Sequence, residues 1–111
     1  MTAYALGHLH TVEFGPQIVA YLERVDATLD PFGGRFLVHG NPIDLREGSW
    51  QGDLVLIEFP DLARAQAWYD SPAYRDILAL RTDNAVCDVL LVGGVPDGYR
   101  AAAALAEKTA H

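Results

Sequence analysis

The sequence predicts an α+β fold, a four-stranded antiparallel sheet with its helices on one face. Three observations predict it. Short runs of alternating or continuous apolar residues occur four times, as strands require. Between the first and second runs, and again between the third and fourth, apolar residues recur at helical spacing instead. Pro, Gly, Asp and Ser punctuate the junctions where one period gives way to the other.

Tyr4 to Val12 reads as the first strand, with Tyr4, Leu6, His8, His10 and Val12 alternating against Ala5, Gly7, Leu9 and Thr11. Gly15-Pro16 breaks it, and Pro16 suits the first turn of a helix because its missing N–H has no partner there anyway. Ile18, Val19, Leu22, Val25 and Leu29 then form an apolar stripe, with Gln17, Glu23, Arg24 and Asp26 as the solvated side. Asp30-Pro31 ends the helix and Gly33-Gly34 turns the chain. Arg35 to His39 is the second strand, with Phe36 and Val38 on one face and Leu37 on the other; Gly40-Asn41-Pro42 stops it. Ile43 to Gly52 is a polar connection that carries Trp50.

Leu54 to Phe59 is the third strand, apolar at nearly every position, which suits a strand covered on both faces. Pro60 ends it, since proline has no N–H for the ladder. Asp61 stands at a helix N-cap, and the helix to Asp70 carries Leu62, Ala65 and Tyr69 along one stripe. Ser71-Pro72 repeats the start signal for a helix to about Ala85, with Tyr74, Ile77, Leu78 and Arg81 in register. Val86 to Val92 is the fourth strand, closed by Gly93-Gly94-Val95-Pro96. Tyr99 to Lys108 reads as an Ala-rich tail helix, so residues 1–96 are expected to be the domain and 97–111 a helical tail.

The order β-α-β-β-α-β is the ferredoxin-like split arrangement. It places both helical segments on one side of the sheet, yet the strands are apolar on both sides. The second side needs a cover, and a second copy of the sheet is the simplest one. A homodimer through the sheet faces is therefore expected.

Composition narrows the function. A chain of 111 residues makes one domain. The net charge of −7, with Lys108 the one lysine, argues against nucleic acid, which needs clustered cations. No apolar run approaches the ~20 residues of a membrane span. Met1 to Tyr4 has no basic, apolar leader character, so a cytoplasmic protein is expected. Cys87 is alone in an apolar strand pattern and reads as a small buried hydrophobe rather than a reactive thiol. No Gly-rich phosphate loop, cysteine ligand set or helix-borne His-x-x-x-His is present, so no nucleotide cofactor, haem, flavin or metal is expected.

Several motifs resemble those of a known family: Glu58-Phe59-Pro60, Trp68-Tyr69, Ser71-Pro72 with Tyr74, and Leu80-Arg81. Over Tyr4 to Gly94 the chain resembles the DUF1330 family of the dimeric α+β barrel superfamily. Glu47-Gly48-Ser49-Trp50 is similar to a Glu-Gly-x-Trp of family members, whereas His39 stands where they often carry Arg. The resemblance implies two sheets closing face to face into a barrel. It implies no single reaction, because relatives in the superfamily range from cofactor-independent monooxygenases and small dehydratases to haem-dependent enzymes and proteins without known activity.

The candidate site residues follow from side-chain chemistry and the expected topology. With the first strand central, His8 and His10, His39 and Asp88 gather toward one end of the sheet, where imidazoles and a carboxylate serve proton transfer or hold a metal. Hydrogen-bonded or edge histidines are the plainer reading of the same pattern. Glu58, in an apolar strand, needs an arginine or tyrosine partner or its pKa rises. His39, Glu58 and His10 are thus the acid–base candidates. Trp68, Tyr69, Arg81 and Trp50 are the candidates for a ligand pocket between sheet and helices, with packing as the alternative for the aromatics. Arg81 either anchors a ligand carboxylate or pairs with Glu58 or Asp83. A small-molecule binder or enzyme leads, and a non-catalytic dimeric module is the alternative.

Overall fold

The computed structural model describes residues 1–105. Four strands, β1 (Ala3–Val12), β2 (Arg35–His39), β3 (Asp53–Phe59) and β4 (Ala85–Gly93), form one antiparallel sheet in the order β2-β3-β1-β4. Helix α1 (Pro16–Leu29) links β1 to β2 through a short 3₁₀ turn at Asp30–Phe32. Helices α2 (Leu62–Asp70) and α3 (Pro72–Thr82) link β3 to β4. The expected ferredoxin-like architecture is present.

The start signals act as the sequence implies. The Asp61 side chain accepts from the Arg64 N–H at 2.8 Å, capping α2. Ser71 does two jobs at the α2–α3 corner: its hydroxyl donates to the Trp68 carbonyl at 2.7 Å and accepts from the Tyr74 N–H at 3.2 Å. One hydroxyl thus closes one helix and opens the next. Pro16 opens α1 without a side-chain cap from Gly15.

The core lies between sheet and helices. Ala5, Ile57 and Phe59 from the sheet pack with Val25 and Leu29 of α1, Ala65 and Trp68 of α2, and Tyr74 and Ile77 of α3. On the other side of the sheet nothing comparable packs among the described residues. There Leu6, Leu54 and Leu56 are half-buried, and Val86, Leu90 and Val92 are exposed.

Two bulges change the faces expected from simple alternation. Between Leu9 and Thr11 the β1–β4 register skips His10, so Val12 turns to the helix side instead of continuing the row of Tyr4, Leu6 and His8. In β2 the register skips Leu37, so Phe36 shares its face with His39 rather than with Val38. A further departure concerns the tail: Tyr99 and Arg100 are not helical, and helical backbone begins only at Ala103. The remainder of the expected tail helix lies outside the described residues.

Candidate functional site

Between the sheet and α1 the packing leaves a cavity of about 90 Å³. Its sheet wall is Ala5, Gly7 and Leu9 of β1 with Val55 and Ile57 of β3 and Val89 of β4. Ile18, Tyr21 and Leu22 of α1 form the opposite wall, and Trp68, Tyr74 and Arg81 close the end formed by α2 and α3. The small residues at the centre of β1 create the space. Gly7 offers no side chain, and a Cβ built there would meet only Leu9 Cδ1 and Val55 Cβ, both at an ordinary 3.6 Å. His39, Val12 and Leu22 also line the cavity and are exposed to solvent, which marks its mouth. The His39 ring stacks on Phe36 with centroids 4.7 Å apart.

Apart from His39 at the mouth, the lining is apolar except for one cluster. The Tyr21 and Tyr74 hydroxyls are hydrogen-bonded at 2.8 Å. Arg81, only 8% exposed, donates a long hydrogen bond of 3.5 Å to the Tyr74 hydroxyl and lies 6.0 Å from the centroid of the Tyr21 ring. Among the described residues no carboxylate comes within ion-pair distance of it. Burial alone pulls the Arg81 pKa down, but the phenols of Tyr74 and Tyr21 outweigh it and the net shift is upward; the guanidinium stays charged. Burial, with Tyr74 beside it, pushes the Tyr21 phenol well above its ordinary value, so it remains a neutral hydroxyl. The cavity therefore joins an apolar wall to a buried, permanent cation and two tyrosine hydroxyls, a donor set suited to a carboxylate.

A second cluster sits on the open face. His10 Nε2 and Asp88 Oδ2 are 2.8 Å apart, and the His8 and His10 ring centroids are 3.8 Å apart. His8 Nε2 bonds the Gln51 carbonyl oxygen at 2.6 Å, and Trp50 stacks on the His8 ring at 3.8 Å with 13° between planes. The loop before β3 makes this possible. Trp50 Nε1 donates to the Gly52 carbonyl, and Gly52 takes a φ of 94° so close to β1 that any Cβ would strike the Leu9 carbonyl oxygen.

The structure redistributes the expected site residues. Trp68 and Arg81 line the cavity, and His39 stands at its mouth. Tyr69 is not among the lining residues; it packs edge-on against Trp68 and under the Arg75 guanidinium at 5.2 Å. Trp50 lies on the opposite side of the sheet, on His8. Glu58 finds its arginine, but it is Arg35 across the β2–β3 pair, at 3.0 Å, rather than Arg81. His39 does not join His8, His10 and Asp88, because the β2 bulge turns it to the helix side.

Sequence reasoning passed over Tyr21, Gly7 and Phe36. Tyr21 had a usable signal, since it falls three residues after Ile18 and four before Val25 on the buried stripe of α1. The role of Gly7 had none, because a glycine inside a strand reads equally as a bulge or as open space.

Comparison with known proteins agrees with this architecture. The methylated RPA0582 protein superposes with a TM-score of 0.62 at 16% identity, over 88% of this chain and 84% of that one. The source of RPA0582 is Rhodopseudomonas palustris, and its function is described as unknown. A dimeric ferredoxin-like protein of unknown function from Jannaschia sp. CCS1 gives 0.58 at 16% identity, over 85% of this chain and all of that one. A dimeric protein of unknown function and ferredoxin-like fold from Bacteroides fragilis NCTC 9343 gives 0.54 at 11% identity, over 84% and 96%. These likenesses show the ferredoxin-like fold. No curated protein matches the chain. The model of DUF1330, described as a domain of unknown function, matches residues 2–95, and the chain belongs to that family.

Proposed function

We propose that this protein binds a small organic acid in the cavity between sheet and helices, acting as a homodimer and without a nucleotide cofactor. The observation that carries the reading is Arg81: a buried guanidinium that lines an apolar cavity and has no carboxylate partner among the described residues. A buried charge ordinarily demands an opposite charge, and here a ligand carboxylate supplies it. The cavity volume of about 90 Å³ favours a compact acid, since about 150 Å³ accepts a benzene ring. A larger acid would extend through the mouth past His39. Of the three acid–base candidates, His39 alone lines the cavity. It is the group placed to move a proton if the bound acid is transformed, whereas Glu58 and His10 serve the other face.

The dimer reading rests on the apolar open face and on the dimeric neighbours of the same fold. A single free Cys87 suits a reducing cytoplasm. Among the described residues no helix is long and apolar enough to cross a membrane.

Thermal melting of wild type and Arg81→Ala beside a panel of small aliphatic and aromatic acids tests the proposal. At least one acid is expected to raise the wild-type melting temperature and to leave the variant unmoved. A panel that moves neither protein, together with a large loss of stability in Arg81→Ala, would sink the pocket reading and leave a non-catalytic dimeric module.

A further inference from the structure

We propose that His8, His10 and Asp88 form a binding site for a divalent first-row transition-metal ion, with zinc as the reference case, on the open face of the sheet. The three side chains come from two neighbouring strands, with His8 directly opposite Asp88 in the register. One ligand atom from each lies within 4.8 Å of the others. Tetrahedral zinc ligands at about 2.0–2.1 Å from the metal sit about 3.3 Å from one another. Binding would draw the three ligand atoms from where they stand here to that spacing.

Three features point beyond a chance surface pair. The β1 bulge falls on His10, the extra residue between Leu9 and Thr11, and an extra residue re-aims a side chain. It brings His10 beside both His8 and Asp88. The His8 ring is fixed from two sides: Trp50 stacks on it, and the Gln51 carbonyl accepts from its Nε2–H. That bond leaves the lone pair on Nδ1. A carbonyl holding the second imidazole nitrogen is the usual outer support of a metal-bound histidine. The surroundings are apolar as well, with Leu6, Leu54 and Leu90 as face neighbours. When such a face is covered, a carboxylate beside two imidazoles needs a cation or a proton.

The donor set of two imidazoles and one carboxylate suits zinc, iron(II) or cobalt(II) and leaves room for water or a further ligand. The ion takes the place of the proton between His10 Nε2 and Asp88 Oδ2, with the imidazole proton then carried on Nδ1. No helix-borne pair announces this site in the sequence. The strand-borne His8-x-His10 supplies two ligands, and the β1–β4 pairing supplies the third. The site is complete within one chain and does not rest on the carboxylate-binding reading.

The experiment uses tag-free full-length protein, stripped with chelator and dialysed against zinc chloride. Stoichiometric zinc is expected, with affinity reduced at least about tenfold in His10→Ala and in Asp88→Ala. His111→Gln is expected to bind as wild type does. The unmutated protein gives a second readout, since imidazole resonances of His8 and His10 should move on addition of zinc. Failure to bind zinc, equal binding in both ligand variants, or unmoved His8 and His10 resonances would overturn the proposal.

Discussion

Arg81 shows how one residue divides the two sides of this molecule. The sequence left it either as a ligand anchor or as the partner of Glu58 or Asp83. The strand register decides, because Arg35 lies opposite Glu58 and takes that carboxylate. Among the described residues, removing Arg81 therefore strands no carboxylate, and Arg81→Ala should cost less than the ~3–5 kcal/mol of a broken buried ion pair. Chemical denaturation of the variant beside wild type measures this. Gly7→Ala should act in the opposite direction. Gly7 has no positive φ and the added methyl meets only ordinary contacts, so stability should rise by about 0.4–1 kcal/mol. The methyl also takes volume from the cavity, so ligand-induced shifts in melting temperature should shrink. Tyr21 makes a pH prediction. Its phenol is held neutral in the fold, so the unfolded chain loses that proton first as pH rises past about 10. The stability Tyr21 contributes is complete below that pH and falls above it. Tyr21→Phe should flatten this alkaline loss in denaturation curves collected across the range. Curves of identical slope would remove Tyr21 from the account.

At the scale of elements, the parts legible in the sequence are those with explicit chemical signals. Asp61 and Ser71-Pro72 announce helix starts, and Pro60 announces a strand end, because a cap or a missing N–H acts within a few residues. The bulges at His10 and Leu37 left no such mark. A bulge is an agreement between two strands far apart in sequence, and it reverses faces without altering composition. This is why Val12 and His39 appear on the helix side, and why the cavity mouth was not legible while its Trp68 and Arg81 wall was. The corner between α2 and α3 is the element most exposed to a single change. Ser71→Ala removes the acceptor for the Tyr74 N–H and the donor to the Trp68 carbonyl together. Its expected cost is about 1–2 kcal/mol, at the upper part of the range for a lost cap, measurable by thermal melting.

For the whole molecule the organising fact is the asymmetry of the sheet. One face meets helices and holds a cavity with a buried cation; the other is apolar, carries the His8, His10 and Asp88 cluster, and lies open in the single chain. The proposed pairing of two open faces would cover Leu6, Leu56 and Leu90, so Leu56→Asp should place a charge in the interface and convert a dimer to a monomer in light scattering. A wild-type monomer at micromolar concentration would contradict the pairing. The proposed function rests on the helix-side cavity, and the most direct test is a crystal structure of wild type soaked with the acid that raises its melting temperature most. The expected result is density for the acid between sheet and α1, its carboxylate within hydrogen-bond distance of Arg81 and the Tyr21–Tyr74 hydroxyls. An empty cavity, with the acid bound elsewhere on the protein, would contradict the account.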